Sequence, residues 1–267
     1  MTGAPAPSEI VTLLTDFGVS DPFVGVMKGV MLNEHAGLRL VDISHAVPPQ
    51  DIELAEFWLR TSHHWFPAGS VHLCVVDPGV GSDRAALAVC AHEQYFVAPD
   101  NGVLSGVIRS DTRAAVRRID AAELGIELPS RTFHGRDLFA RVASRLASQK
   151  LQFASIGPTA QPVLLPERPA LRSPDELVGR VIAVDHFGNL ISNLPGAWLE
   201  ASDIAVEIAG RKLRRVGTYA EAEVAECVAL ISSFDTLEVA VRNGHAANLL
   251  GVGRDAELRV VRQRRAT

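Results

Sequence analysis

The chain has no excess of positive charge, very little cysteine and no apolar run long enough to cross a bilayer. Its 26 basic residues stand against 31 acidic ones, for a formal net charge of −5. Binding of nucleic acid or of an anionic lipid surface calls for the opposite field, so neither is an expected partner. Cys74, Cys90 and Cys227 form no close-spaced pair, which removes the disulfide framework and the Cys-X-X-Cys site. Cys74 and Cys90 lie in apolar runs and read as inert core thiols, and Cys227 sits in a similar run. His63 and His64 are adjacent and so cannot share a helix face, and no third ligand stands at metal spacing. No metal and no cofactor is therefore expected. Met1 to Ser8 shows no basic-then-apolar leader pattern, and the expectation is a reduced, cytoplasmic protein.

What the chain does have is core-forming material: 47% of its 267 residues are hydrophobic. That length allows one large domain or two smaller ones. Short apolar runs at Ile10–Leu14, Leu38–Ile43, Val71–Val76, Ala85–Cys90 and Tyr95–Val97 read as strands. They alternate with helical patterns. One is opened by Asp21-Pro22, with Asp21 as cap and Pro22 at the first helical position. A second runs from Asp51 to Leu59 with Asp51 as its cap. A short one begins near Leu104, and a fourth is marked by Leu138, Phe139, Val142 and Leu146 with Asp137 at its head. Residues 109–131 are charged and carry no motif. Pro158, Pro162, Pro166, Pro169 and Pro174 then crowd a stretch too proline-rich for a helix or a central strand. Beyond it come short strands: Val178–Val184, Ile204–Ile208, Lys212–Val216, Val228–Ser232, Leu237–Val241 and Leu258–Val261. The expected fold is an N-terminal α/β domain (8–160) with a mostly parallel sheet, a Pro-rich linker (161–176) and an all-β, barrel-like C-terminal domain (177–263).

Several carboxylates fall where strands leave the core. Asp77 follows the run Val71–Val76 and opens Pro78-Gly79-Val80-Gly81, with Arg84 seven residues on. In open α/β sheets ligands bind outside the carboxyl ends of the strands, and a guanidinium fixes the oxygens of a carboxylate beside it. The same residues are equally compatible with an Asp that caps its own turn and a solvated Arg. Asp16 ends the first strand in the same manner. The triplet Asp16-Phe17-Gly18 is no kinase motif, because neither a His-Arg-Asp loop nor a glycine-rich loop accompanies it. His134 stands in the loop leading into the fourth helix, a place that suits either a structural or a catalytic histidine.

Taken together, Thr15-Asp16-Phe17-Gly18 with Asp21, Gly25 and Lys28-Gly29, Val76-Asp77-Pro78-Gly79-Val80-Gly81 with Arg84, Ala98-Pro99-Asp100-Asn101-Gly102, Thr132-Phe133-His134-Gly135-Arg136-Asp137, and Asp185-His186-Phe187-Gly188-Asn189-Leu190-Ile191-Ser192-Asn193 resemble the S-adenosylmethionine (SAM) hydroxide adenosyltransferases. These are adenosine-forming SAM hydrolases related to the fluorinase and chlorinase. Any one motif is weak, and five in order are specific. The resemblance spans about residues 11 to 261. It implies cleavage of SAM to adenosine and methionine by a homotrimer, with each site shared between one subunit's N-terminal domain and a neighbour's C-terminal domain. It places a catalytic set on Asp77, Arg84 and His134, in which Asp77 orients and partly deprotonates a water. By the same resemblance Asp16 holds the ribose hydroxyls, while Asp21 and Asp185 face the methionine end. Phe187 and Tyr219 flank adenine, Asn189 reads its edge, and Ser233, Glu238 and Val241 line the ligand. One departure stands out. The family commonly carries Asn-Ser-Phe-Gly where this chain has Ser232-Ser233-Phe234-Asp235, so a glycine is lost beside the expected carboxylate pocket.

Two other functions fit parts of the pattern. A SAM-dependent halogenase would bind a halide where the hydrolase binds water, but a carboxylate such as Asp77 repels an anion, most of all in a dry site. A non-catalytic SAM or adenosine binder would not need Asp77, Arg84 and His134 together.

Overall fold

The computed structural model describes residues 5–173, 176–199 and 204–262. Pro174, Gln263 and Met1–Ala4, which entered the readings of the linker, the second domain's end and the N-terminal stretch, lie outside the described residues. The chain separates into two compact units between Pro166 and Glu167.

The first unit runs β1 (Ile10–Thr15), α1 (Phe23–Glu34), β2 (Arg39–Ser44), α2 (Ile52–Ser62), β3 (Val71–Val75), β4 (Ala86–Ala91), β5 (Gln94–Pro99), α3 (Ser105–Ser110), β6 (Ala115–Arg118) and α4 (Ala140–Ala147). The six strands form one sheet in the order β2-β1-β3-β5-β4-β6. The ladders among β2, β1, β3 and β5 are parallel, and β4 is antiparallel to both its neighbours. Helices cover both faces. Met27 and Met31 of α1 and Val142 and Leu146 of α4 pack with Val11, Leu13, Leu73 and Val75 on one side. Ala55 and Leu59 of α2 and Val107 of α3 pack with Leu14, Cys74 and Phe96 on the other. A central strand buried on both faces needs no polar alternation, which is why β3 reads as a continuous buried run. Burial pushes the thiols of Cys74, Cys90 and Cys227 up, so they stay protonated, Cys74 within the core and the other two, partly exposed, against it.

One cap is as expected and one is not. Asp51 caps α2, its Oδ1 accepting the Leu54 N–H at 3.0 Å. Asp21 does not cap α1. The helix starts at Phe23, with Pro22 in the capping position and no side-chain cap bond. Pro22 already has helical angles (φ −76°, ψ −1°), and its carbonyl accepts the Val26 N–H. Asp21 is thereby moved one residue outside the cap and is exposed. The charged stretch after α3 contains a strand the sequence reading left out, β6, whose four residues sit on the sheet's edge.

The second unit is a closed barrel. Its strands are β7 (Leu171–Arg172), β8 (Glu176–Val184), β9 (Leu190–Pro195), β10 (Ile204–Ile208), β11 (Arg211–Arg215), β12 (Cys227–Ile231), β13 (Thr236–Val241) and β14 (Glu257–Arg262), with a short helix α5 (Ala246–Leu250). The order β14-β10-β11-β12-β13-β9-β8 returns to its start through the β14–β8 pairing, and β7 attaches only to β8. Closure removes the exposed edges that a short-stranded sheet would otherwise present. Among the described residues no helix is long and apolar enough to cross a membrane.

His72 gives the first unit an acid limit. It is the register partner of Thr12 across β1 and β3, lies 2.8 Å from its hydroxyl through Nδ1, and stacks on Phe96. Burial, and then repulsion from His63, push its pKa from the ordinary 6.5 down to about 3. The unfolded chain therefore takes up a proton that the native state refuses. This contribution to stability is complete above pH 6.5 and is lost as the pH falls towards about 3. Denaturant titrations between pH 6.5 and 4 should show a positive slope of unfolding free energy against pH, shallower in His72→Phe by up to about one proton. The variant should also be about 1–3 kcal/mol less stable at neutral pH, since Thr12 loses its partner. An identical slope in both proteins would remove His72 from the acid transition.

Candidate active site

Strands β1, β3 and β5 run parallel, so their carboxyl ends share one edge of the sheet. From β1 the chain crosses to β2 on one side, and its next strand, β3, lies on β1's other side. The crevice between β1 and β3 is thus the sheet's topological switch point, the place where α/β folds bind ligands. Asp16 follows β1 directly, and Asp77 stands two residues beyond β3. The two strand-end carboxylates are therefore on adjacent strands, at this crevice.

The loop after Asp77 folds Arg84 back onto it. Val80 N–H donates to the Asp77 carbonyl, and Ser82 donates to the Gly79 carbonyl through both its N–H and its hydroxyl. Gly81 turns the chain at φ +81°, and a Cβ there would lie 2.7 Å from the Arg131 carbonyl, so only glycine fits. Arg84 Nε donates to Asp77 Oδ1 at 2.8 Å and Nη2 donates to Oδ2, a side-on bidentate pair. The Arg84 and Asp77 side chains are 11% and 5% exposed. The guanidinium also lies over the Phe139 ring, 5.2 Å from its centroid.

Nη2 of Arg84 lies 3.0 Å from His134 Nδ1. A guanidinium only donates, so Nδ1 accepts and the imidazole carries its proton on Nε2. Burial, and then Arg84, hold His134 below its ordinary pKa, against weaker upward pulls from Asp77 and Asp137. His134 heads a single π-helical turn, Gly135–Phe139, that runs into α4. Irregular turns of this kind gather at functional sites. Asp137 anchors the turn: it is buried, accepts both Nε and Nη2 of Arg136, and takes the Ser130 N–H. Phe133 packs edge-on against Phe17 and Phe23, joining the His134 loop to the Asp16 loop.

The turn after β5 holds both sides of the Asp77–Arg84 loop. Asn101 Nδ2 donates to the carbonyl of Val76, just before Asp77, at 2.8 Å. The Asp100 N–H donates to the carbonyl of Ala85, just after Arg84, and the same carbonyl accepts Arg84 Nη1. The sequence offers no role for Asn101, because nothing local says whose carbonyl it meets. Asp16 is held from outside as well, its Oδ2 accepting the Gln50 N–H at 2.8 Å.

In the barrel unit, Asp185 accepts the N–H groups of Phe187 and Asn189 on Oδ1 and the Asn189 side-chain amide on Oδ2. That turn requires Gly188, at φ +82°, where a Cβ would strike the His245 ring at 2.2 Å. It leaves Phe187 70% exposed and Asn189 buried. Tyr219 is 46% exposed and donates to buried Glu238 at 2.6 Å. Burial raises the Glu238 pKa, and burial and then Glu238 raise that of Tyr219. Nearby Asp185 adds to both upward shifts, which brings it into the same electrostatic neighbourhood. Ser233 is exposed in the β12–β13 turn. Val241 packs in the barrel core with Leu237 and Val239, on the face of β13 opposite Glu238. Asp235 adopts φ +55°, and its N–H and carbonyl bond Ser232 and Gly196. This is a left-handed position, which glycine fits best and aspartate is among the few other residues to tolerate, so the Asp235 expected to disturb the turn sits in it.

The tautomer can be checked without any turnover. Nitrogen-15 spectra of His134 should show the Nε2-protonated neutral ring at pH 7, titrating below the ordinary histidine range. Because Arg84 pulls its pKa down, Arg84→Gln should move that titration upward. A downward shift, or an Nδ1-protonated ring in the wild type, would contradict the assignment.

Residues 11–157 match the family model described as SAM hydroxide adenosyltransferase N-terminal domain, and residues 179–259 match that of the SAM hydroxide adenosyltransferase C-terminal domain. A protein named (R)-S-adenosyl-L-methionine hydrolase, from Salinispora tropica, is 37% identical over 260 residues, covering 96% of this chain and 98% of its own. A fluorinase from Nocardia brasiliensis is 27% identical over 241 residues, covering 80% and 79%. A solved structure, an uncharacterized conserved protein from Thermotoga maritima, superposes with a TM-score of 0.88 at 32% identity, over 94% of this chain and all of that one. With both domain models matched in order around the geometry described above, this chain belongs to the SAM hydroxide adenosyltransferase family.

Proposed function

We propose that this chain is a hydrolase that cleaves S-adenosyl-L-methionine to adenosine and methionine, water attacking the ribose 5′ carbon in line with the departing sulfur. The Asp77–Arg84–His134 constellation at the β1/β3 crevice carries this reading. In the reaction an oxygen–carbon bond forms at C5′ and the carbon–sulfur bond breaks, its electron pair leaving on sulfur as the neutral thioether of methionine. One proton leaves the water. The leaving group needs little help, so the protein's task is to aim a weak nucleophile in a screened site.

The hydrogen bonds divide the work. Neutral His134 has its one free lone pair on Arg84, so it has none left to accept a proton from water. It offers Nε2–H as a donor to the water oxygen. Asp77, whose oxygens Arg84 holds through one lone pair each, retains lone pairs to accept the proton. Asp16 holds the ribose hydroxyls. Asp21, exposed and free of a capping duty, is available near the methionine end. On the barrel unit, Phe187 and Tyr219 present exposed rings for adenine, where stacking is worth about 1–3 kcal/mol per base. Asn189, with its amide oriented by Asp185, reads the adenine edge. Asp185 spends three acceptor positions on its own turn and keeps one of the roughly four of a carboxylate for the methionine amino group. Ser233 and Glu238 complete the binding set, Glu238 by holding the Tyr219 hydroxyl; Val241, whose side chain packs in the barrel core, has only its backbone to offer a ligand. The site divides between residues 8–160 and 177–263, with 161–176 as linker. In this reading a homotrimer brings one subunit's first set to a neighbour's second set, in the cytoplasm and with no cofactor.

Purified protein incubated with SAM should yield equal amounts of adenosine and methionine, and in oxygen-18 water the label should enter only the 5′ hydroxyl. Asp77→Asn should keep the fold and lose at least about a hundredfold in kcat. The acid limb of kcat/KM should lie below pH 6.5, because His134 titrates below its ordinary value and protonation removes its acceptor for Arg84. Excess chloride should give no 5′-chloro product, and such a product at rates rivalling hydrolysis would favour the halogenase. Tight adenosine binding with no cleavage of either sulfonium diastereomer would favour the binder.

For the shared site, light scattering should give the trimer mass. Trimers mixed from Asp77→Ala and Asn189→Ala subunits should regain activity that neither parent has. Mixed trimers as inactive as the parents would count against sites shared between subunits.

A further inference from the structure

A second line of polar groups, buried at Thr15 and His45 and reaching the surface at Asp42, runs beside Asp16 and takes no part in the chemistry above. Thr15, the last residue of β1, is fully buried, and its Oγ1 accepts the Phe17 N–H at 3.2 Å. The same oxygen lies 2.8 Å from Nδ1 of buried His45. Facing the Asp42 carboxylate, Nε2 is the ring nitrogen that carries the proton, and Nδ1 of the neutral ring then accepts the Thr15 hydroxyl. Nε2 lies 3.0 Å from Asp42 Oδ1, a close contact without hydrogen-bond alignment, and Asp42 Oδ2 pairs with Lys28 Nζ at 2.6 Å. Two backbone links run in parallel: Gly18 N–H donates to the His45 carbonyl, and Gln50 N–H to Asp16 Oδ2.

Aspartate, histidine and threonine in a row have the composition of a nucleophilic set. Burial excludes that use here, since the Thr15 oxygen has no exposure and is already engaged by Phe17. A role in packing alone would account for the burial. It would not account for the convergence of the Thr15–His45, Gly18–His45 and Gln50–Asp16 bonds on residues 15 to 18, the turn that carries Asp16 to the β1/β3 crevice.

We infer that Thr15, His45 and Asp42 are positioning residues that fix the direction of the Asp16 carboxylate. This rests on the reading of Asp16 as the group that holds the ribose hydroxyls. Two vicinal hydroxyls require both oxygens of one carboxylate in a set plane. The Gln50 amide fixes one of those oxygens, and the Thr15–His45 link fixes the backbone from which the side chain departs.

Adenosine affinity measured by calorimetry on the full chain, with SAM kinetics and thermal unfolding alongside, tests this. Thr15→Val, which keeps the shape and removes the hydroxyl, should raise the adenosine Kd and the SAM KM by up to about tenfold, with kcat nearly unchanged. Thr15→Ser should restore both. Asp42→Asn, at a half-exposed carboxylate, should weaken adenosine in the same direction and keeps the test open should Thr15→Val unfold. In an Asp16→Ala background either substitution should add nothing further, because the group being positioned is gone. Unchanged affinity in folded Thr15→Val and Asp42→Asn would overturn the inference, as would a full additional loss in the Asp16→Ala background. The outcomes also separate this inference from the reading beneath it. A wild type that binds no adenosine sinks both. One that binds adenosine without cleaving SAM sinks only the hydrolase, and one that does both while the variants bind normally sinks only the positioning role.

Discussion

Arg84 reaches back over a glycine-rich loop to take both oxygens of Asp77, and most of what surrounds the site serves that contact. The pair is almost sealed from solvent, so each member needs the other: deleting one side of a buried ion pair costs about 3–5 kcal/mol, because the charge left behind has no partner. Phe139 supplies a flat ring beneath the guanidinium, and His134 takes its remaining direction. Asn101 and Asp100 hold the carbonyls just outside the two residues. The loop between them is therefore fixed at both ends by hydrogen bonds from a neighbouring strand's turn, and the carboxylate's orientation is set before any substrate arrives.

That arrangement also decides the chemistry available. A guanidinium that occupies His134 Nδ1 leaves the ring only Nε2–H to offer, so that in the proposed mechanism Asp77 is the acceptor. On the reading proposed above, the same carboxylate favours water over a halide, because a halide there would face a negative charge. Relatives named for SAM hydrolysis are 31–37% identical to this chain and fluorinases 24–27%. Site and kinship point the same way.

Polar groups are used economically elsewhere in the molecule. Asp185 orders a five-residue turn and at once aims the amide of Asn189. Glu238, buried in a β-strand, is satisfied by the hydroxyl of a ring whose face stays open to solvent. Asp235 holds a left-handed conformation in the β12–β13 turn, one that aspartate tolerates better than most residues.

The amino-acid sequence by itself determined the local order: the buried strands β1, β3 and β5, the Asp51 cap, and the glycine loop that lets Arg84 return to Asp77. These depend on apolar runs and on spacings of a few residues, which are written along the chain. It misled at Asp21, because proline's fixed φ suits the capping position as well as the first helical one. It was silent on β6, β7 and α5, which are short, and on β9, whose apolar run is broken by Ser192 and Asn193 and closed by Pro195; tertiary pairing decides the three strands. His134 lies 50 residues beyond Arg84, and only the family resemblance joined them in advance. The pairing of Asn101 with Val76, of Thr15 with His45, and of Gln50 with Asp16 was settled by the tertiary structure alone. Such bonds cross between strands and loops, and a side chain's type does not state which distant carbonyl or amide the fold will bring to it.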